Sequence, residues 1–334
     1  MIEIKLRTLT SLWTGNIDRD SPNLRETGII GSLRWWYENL LRAYEKDACD
    51  PTDSTCNAEK HCSACELFGC TGWSRKFRLE IFSDAKLKPL QQLRIRTREM
   101  RTIRGQRRFL NRYVSGLSGE FSIKIVPLRA MKTNEETYFR RTLQIINEYT
   151  ALGAKTAQGN GVVQIEGLEP IKSKEFSLRS GFAKNNVPVL SDFFFSKFQL
   201  NFDKPTREII NRQLLWGIEG TTNIWNDYWE SHNFLPIAFH VRDTIRSTIA
   251  DRYRRHEIFG ERERGARVFV SHGYKIDAST VEIRVFGYSL KDYEINNLKV
   301  ALKQKLPAYL SVNYDIPLKV SVKEIGPKFG GQLL

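Results

Sequence analysis

The chain has 334 residues, with 52 Lys and Arg against 38 Asp and Glu, a formal net charge of +14 and 41% hydrophobic residues. This composition excludes a disordered chain, and the length allows two domains. The basic excess indicates a polyanionic partner, most commonly nucleic acid. The N-terminus lacks an apolar signal segment, and no run approaches the roughly 18 apolar residues of a spanning helix, so we expect a cytoplasmic protein with no membrane partner.

The first half is predicted to follow the order β-α-β-β-α-β. Ile2, Ile4 and Leu6 alternate with charged residues, as in a half-buried strand, and apolar residues from Ile29 to Leu41 recur at helical spacing. The expected elements are a strand at 1–12, a helix at 23–46, strands at 73–82 and 120–128, a helix at 133–153 and a strand from 162.

The second half is predicted to repeat this order. The expected elements are a strand at 193–202, helical segments within 206–256, strands at 267–276 and 281–288, a helix at 292–306 and a strand at 318–325. ELFG at Glu66–Gly69 matches EIFG at Glu257–Gly260, although chance similarity of short apolar strings is the competing explanation. We therefore expect an α+β protein of two ferredoxin-like (βαββαβ, RRM-like) domains with antiparallel sheets, residues 1–175 and 176–334.

A glycine-rich loop, LGAKTAQGNGVVQIE, joins the second helix to the fourth strand. Gly153, Gly159 and Gly161 permit tight turns and close approach to a ligand, and Lys155 adds a positive charge. The loop suits a phosphate chain, and the alternative is a helix C-cap followed by an ordinary turn. The order of residues that defines a Walker A loop is missing, which argues against nucleotide hydrolysis.

The outward positions of the first-domain strands are predicted to form a basic platform. Its members are Lys5, Arg7, Lys76, Arg78 and Lys124. Because the sheet lacks the stacking aromatics of an RRM, contacts would fall on phosphate and sugar. A solvated polar face is the alternative.

An arginine-rich insertion follows the second predicted strand, with Glu99 as its only acidic residue. Its arginines are Arg94, Arg96, Arg98, Arg101, Arg104, Arg107, Arg108 and Arg112. We expect it to be mobile until a polyanion neutralises it, with affinity that falls steeply as salt rises. Docking on an acidic protein partner is the alternative, and both could hold.

The cysteines are confined to one segment, Cys49 to Cys70, and do not resemble a disulfide framework. Cys62 and Cys65 have the spacing of a zinc knuckle, and Cys56 with Cys70, or His61, would complete a tetrahedral set. Reduced thiols and a local disulfide are the alternatives, and a redox-active pair is not expected. No other cofactor is indicated.

Four segments together resemble a known family: ETGIIGSLRWWYE, CSACELFGCTGWSRKFRL, the glycine loop and GARVFVSHGYKI. They resemble the RAMP superfamily, and within it the first RAMP subunit of the type III-B CRISPR Cmr complex. The resemblance implies ferredoxin-like domains and a non-catalytic subunit in antiviral defence. It also implies contacts to the 3′ part of the guide RNA, to target RNA and to a neighbouring RAMP subunit. The common RAMP loop has a second glycine where this chain has Lys155. The resemblance therefore implies that the loop contacts phosphate, but it implies no particular loop conformation.

Two other functions compete with RNA binding. A RAMP-type metal-independent endoribonuclease would need one positioned base, such as His240 or His272 near Arg242, although no carboxylate cluster for a two-metal nuclease is present. A structural adaptor would show little affinity for free RNA. Arg34 and its counterpart Arg242 are expected either at the cleft between the domains or in structural salt bridges.

Overall fold

The computed structural model describes residues 2–18, 20–44, 46–50, 54–83, 86–103, 105–168, 187–211, 233–261, 264–312 and 318–333. The predicted domain boundary near residue 175 and the position of Arg104 lie outside these ranges. Among the described residues, no helix has the length and apolar character needed to cross a bilayer.

The first half forms an antiparallel sheet with strand order β2-β5-β1-β6. Its elements are β1 (Ile2–Thr8), α1 (Glu26–Ala43), α2 (Ser63–Phe68), β2 (Phe77–Phe82), β3 (Lys88–Ile103), β4 (Gln106–Ser118), β5 (Glu120–Pro127), α3 (Thr133–Glu148) and β6 (Val163–Glu166). The predicted order of elements is therefore present, with α2 and the β3–β4 hairpin as insertions. Both long helices are shorter than expected.

The helices cover the face of β1 that the alternation predicted. Ile2, Ile4 and Leu6 are buried in one core cluster with Leu33 of α1 and Phe139 of α3. Each fully buried aliphatic side chain contributes about 1.5–3 kcal/mol relative to exposure. On the opposite face of the sheet, Glu3, Lys5 and Arg7 of β1 are exposed.

The second half forms a second antiparallel sheet, with the order β12-β7-β11-β10-β8 and β9 beside β11. Its elements are β7 (Phe193–Phe202), α4 (Thr206–Asn211), β8 (Phe234–Leu235), α5 (Ala238–Arg246), α6 (Arg252–Phe259), β9 (Val268–Val270), β10 (Gly273–Lys275), β11 (Thr280–Tyr288), α7 (Asp292–Val312) and β12 (Val320–Phe329). The single strand expected at 267–276 is divided, because the N–H of His272 leaves the sheet and donates to Gly159 O at 3.0 Å.

Strand β7 joins the two halves because both of its faces are buried. Phe193 packs on Trp36 of α1 with ring centroids 5.4 Å apart, and Phe195 belongs to the same core cluster. Phe194 and Phe198 face the other way, into the core formed by the second half. The second sheet thus packs against the helices of the first.

Arg284 of β11 closes the C-terminal end of α3. Its guanidinium donates to Ile146 O at 3.0 Å, Thr150 O at 2.8 Å and Asn147 O at 2.7 Å, and the residue is only 3% exposed. The last carbonyls of a helix lack partners within it and attract positive charge. A side chain from one half therefore completes a helix of the other.

The arginine-rich insertion has regular secondary structure, which we did not predict: it is a β-hairpin. Strands β3 and β4 pair antiparallel, with Arg94 opposite Tyr113 and Arg101 opposite Arg108. Leu93 and Ile95 are fully buried in the second core. This apolar alternation, which the charge argument overlooked, explains the strand.

Candidate nucleic-acid interface

The open face of the first sheet carries charges of both signs, so the expectation of a uniformly basic platform is wrong. Its cations are Lys5, Arg7, Arg78 and Lys124, and its carboxylates are Glu3, Glu80, Glu120 and Glu166. Strand register brings opposite charges together: Lys124 lies between Glu3 and Glu80, and Lys5 is opposite Glu166. Arg78 also pairs with Glu80 at 2.5 Å.

Lys76 is not on that face, contrary to our expectation. It precedes β2 and is 5% exposed, with Nζ at 2.6 Å from Glu66 Oε1 and 2.9 Å from Glu135 Oε1. Burial opposes its charge, but the hydrogen bonds to Glu66 and Glu135 raise the pKa of Lys76. A cation held in this way has a structural role, because it neutralises two carboxylates beside the core.

The glycines of the loop provide close packing within the protein. A Cβ at Gly161 would lie 2.1 Å from Leu152 O, and one at Gly153 would lie 2.7 Å from Trp13 O. The loop N–H groups of Ala154 and Gly161 donate to Trp13 O at 2.7 Å and Ser11 O at 2.8 Å. These N–H groups hold the loop on the segment that follows β1.

Arg34 and Arg242, which occupy corresponding positions in the two predicted repeats, both donate hydrogen bonds to backbone carbonyls. Arg34 donates to Gly69 O at 2.9 Å and to Glu38 Oε1 at 2.7 Å. Arg242 donates to Phe259 O, and to Ala157 O in the glycine loop at 3.2 Å. The helix-ending glycines beside them share one conformation, with φ 86° and ψ 161° at Gly69 and φ 73° and ψ 161° at Gly260. The similarity of the two segments therefore extends to their geometry.

A cavity of about 430 Å³ opens where the glycine loop, the hairpin and the second half meet. Its basic lining comes from Arg112 of β4, Arg242 and Arg246 of α5, His256 of α6 and Arg264, and its acidic lining from Asp243 and Glu261. Ala157 and Gln158 of the glycine loop also line it. Our sequence reasoning did not select Arg246, His256 or Arg264 for binding, although their position around the EIFG repeat was a usable signal.

The two histidines proposed as general bases are both inaccessible. His240 and His272 are 0% exposed. Burial, with a smaller effect from His240, lowers the pKa of His272 to about 3. A base must reach the hydroxyl of its substrate, so this form of the nuclease hypothesis is wrong for both residues.

The cysteines gather around α2, but not in the predicted set. Sγ atoms of Cys49, Cys56, Cys62 and Cys65 lie within 4.8 Å of one another. Cys70 Sγ instead donates to Asn57 O at 3.6 Å, and His61 Nε2 lies 2.6 Å from Glu66 Oε2. Cys49 thus takes the place that we assigned to Cys70, because the chain after α1 folds back over α2.

Comparison with known families identifies the first half. Residues 5–164, which include β1 and the whole glycine loop, match the family model of the RAMP superfamily. This part of the chain has the sequence signature of the RAMP superfamily. A search of curated proteins gave no match.

Three solved structures are similar to the chain. A chain of the type III-B Cmr-beta complex with cognate target RNA and AMPPnP, in the presence of ssDNA, is 11% identical with a TM-score of 0.46, covering 91% of this chain and 99% of the other. Cmr1 from Pyrococcus furiosus in its apo form is 13% identical with a TM-score of 0.41, covering 97% and 98%. A chain of Cmr-beta bound to cognate target RNA is 12% identical with a TM-score of 0.41, covering 90% and 99%.

The lysine of the glycine loop has a backbone conformation that is usually adopted by glycine. Lys155 has φ 55° and ψ 24°, in the left-handed region. Its Nζ lies 4.2 Å from the centre of the Trp13 ring, and burial lowers the pKa of its ammonium group. The contact with Trp13 helps to offset the cost of this backbone conformation for a residue with a side chain.

Proposed function

We propose that this chain is a non-catalytic RNA-binding subunit of a type III-B CRISPR effector, built of two ferredoxin-like units. It holds the sugar-phosphate backbone of guide RNA, target RNA or both beside a neighbouring RAMP subunit. One observation carries the proposal: in a chain with a RAMP region, arginines from three separate segments line one cavity beside the glycine loop.

The cavity has the chemistry of a phosphate contact. Arg246 and Arg264 come from different segments of the second half, and Arg112 comes from the middle of strand β4 of the hairpin. Guanidinium groups bind phosphate oxygens bidentately, and such contacts set affinity and register without reading sequence. The side chain of Arg264 is 69% exposed, and its pairing with Glu261 at 3.6 Å is long enough to yield to a phosphate.

The hairpin extends the positive charge away from the cavity. Arg112, which lines the cavity, lies on β4 opposite Ile95, and the backbone positions of Arg101, Arg107 and Arg108 follow nearer the turn of the same ribbon. A strand of RNA that enters the cavity would therefore continue along the ribbon. Each neutralised phosphate of a single strand adds about 0.7 to the salt slope of binding.

The decisive experiment measures affinity for single-stranded RNA, duplex RNA and DNA of one sequence at two salt concentrations. Arg246→Ala and Arg264→Ala should each weaken binding of single-stranded RNA about 5- to 10-fold and lower the salt slope by about 0.7. Arg140→Ala is the matched control, because Arg140 is a partly exposed arginine of α3 that pairs with Glu136 and does not line the cavity. Affinity that none of these variants changes would contradict the cavity as the site.

The same binding reactions separate the alternative functions. Labelled RNA should be retarded on a gel and keep its length. Shortened RNA that becomes intact with His256→Ala would favour a nuclease, since His256 is the histidine that lines the cavity in the described part of the chain. Little affinity and little salt dependence would favour a protein-docking adaptor.

A further inference from the structure

Four cysteine sulfurs converge beside α2, away from the residues that line the basic cavity. All four Sγ atoms lie within 4.8 Å of one another. A tetrahedral zinc ion with Zn–S bonds of about 2.3 Å requires sulfurs about 3.8 Å apart. We propose that Cys49, Cys56, Cys62 and Cys65 bind a structural zinc ion.

The local backbone has the form of a metal-binding turn. Cys62 caps the N-terminus of α2, and Cys65 lies in its first turn. The N–H groups of Cys65 and Cys49 donate to Cys62 Sγ at 3.4 and 3.3 Å. Hydrogen bonds to sulfur favour the thiolate, which is the form that coordinates a metal.

Two arginines of α1 support the ligands from outside. Arg34 Nη2 lies 3.1 Å from Cys65 Sγ and 3.8 Å from Cys49 Sγ. Arg42 donates to Ala48 O at 3.1 Å and to Cys49 O at 2.5 Å, which fixes the backbone of that ligand. Four thiolates around Zn²⁺ carry net negative charge, so guanidinium groups at this position stabilise the loaded site, as outer partners of metal ligands do.

The proposed zinc site is closed, which indicates structure and not catalysis. Cys62 is 4% exposed and Cys65 is 0% exposed, and four protein ligands leave no position for a substrate. The ion would fasten the segment after α1 to α2. Through Arg34, which also holds Gly69 O, it would fix the turn that leads into β2. This inference does not depend on RNA binding.

The test measures metal in the purified full-length chain. We expect about one zinc ion per chain, and cobalt exchanged into the site should give the thiolate charge-transfer bands of a tetrahedral tetrathiolate. Cys49→Ser, Cys56→Ser and Cys62→Ser should each lose zinc and lower Tm. Cys70→Ser is the matched control and should keep both, since the sulfur of Cys70 is directed to Asn57 O.

Several results would overturn the proposal. One is a chain without metal whose cysteines all react with a thiol reagent, and another is an intact mass that reveals a disulfide within this segment. If Cys70→Ser lost zinc and Cys49→Ser kept it, then Cys70 and not Cys49 would be the fourth ligand. If a serine variant of the set does not fold, the cobalt spectrum and metal content of the unaltered chain and of Cys70→Ser still decide the question.

Discussion

His272 lies directly against the α-carbon of Gly159. A Cβ at position 159 would come within 2.6 Å of His272 Cε1 and 2.7 Å of Cδ2, and the His272 N–H donates to Gly159 O at 3.0 Å. The ring also accepts the N–H of Ala238 at Nδ1, at 3.2 Å. One glycine of the glycine loop is therefore in direct contact with the second half of the chain.

Gly159→Ala should destabilise the protein by about 3 kcal/mol or more, because it combines a clash with a strained backbone. The residue has φ 112°, and its neighbours at position 238 and 272 are buried. Urea unfolding measures the loss. Gly167→Ala is the control: it also has positive φ, at 74°, but faces open space, so it should cost only about 1 kcal/mol. Equal losses would show that the contact with His272 is unimportant.

The free energy of unfolding should decrease at acidic pH, over a range set by the pKa of His272. Its pKa is about 3 in the folded protein against 6.5 in the unfolded chain, so the unfolded state binds more protons between these values. The free energy of unfolding should thus decrease as pH falls from 6.5 toward 3, by up to about 1.4 kcal/mol per pH unit from this residue. Above pH 6.5 the contribution is constant.

Subtracting the stability curve of His272→Asn from that of the unaltered protein isolates the effect. Asn keeps an acceptor near the position of Nδ1 and does not titrate, and its smaller volume lowers stability at every pH. The difference between the curves should shrink below pH 6.5. Parallel curves down to pH 4 would mean that His272 can be protonated in the folded state.

Lys76→Met should cost about 3–5 kcal/mol in the free energy of unfolding, because the buried Glu135 loses its cation. Adding Glu135→Gln should restore part of the loss, since the amide oxygen can still accept the N–H of Lys132, now bonded at 2.7 Å. Urea denaturation of the single and double variants measures both steps. A single variant as stable as its parent would refute the structural role that we assign to Lys76.

Lys155→Gly and Lys155→Ala should differ by about 1 kcal/mol in stability, with the glycine variant more stable. Both lose the contact with Trp13, but only glycine adopts φ 55° without steric cost. Thermal unfolding compares them. An alanine variant equal to the glycine variant would mean that the loop changes conformation when the lysine is removed.

Alternation and helical spacing were enough to predict most of the described elements. The strand expected at 193–202 has those bounds in the structure, and Ile2, Ile4 and Leu6 face the core as predicted. Such periodicities report which side of an element is buried, and this is a local property of the sequence. The family resemblance was also confirmed for residues 5–164.

The predictions that were wrong concern properties that depend on which groups the fold brings to a side chain. Lys76 looked like an outward strand cation, and only the fold brings Glu66 and Glu135 to it. Likewise, the position of Cys49 beside Cys65, with sulfurs 3.5 Å apart, depends on how the chain turns after α1. Along the chain, Cys70 is closer to Cys65 than Cys49 is to Cys62, so spacing favoured Cys70 as the fourth cysteine of the set. The entropic cost of closing a loop grows only slowly with its length, so the longer separation of Cys49 is tolerated.

The reach of Arg284 into the end of α3 makes the two halves inseparable in practice. If the chain were cut between Glu166 and Val189 and the pieces separated, the carbonyls of Ile146, Asn147 and Thr150 would lose their donor and Arg284 would lose its acceptors. The face of β7 that carries Phe193 and Phe195 would also lose the core in which it packs. We therefore expect that neither fragment folds stably by itself, which rules out its use in truncations, domain swaps or fusions. Melting of the intact protein is expected as one cooperative event.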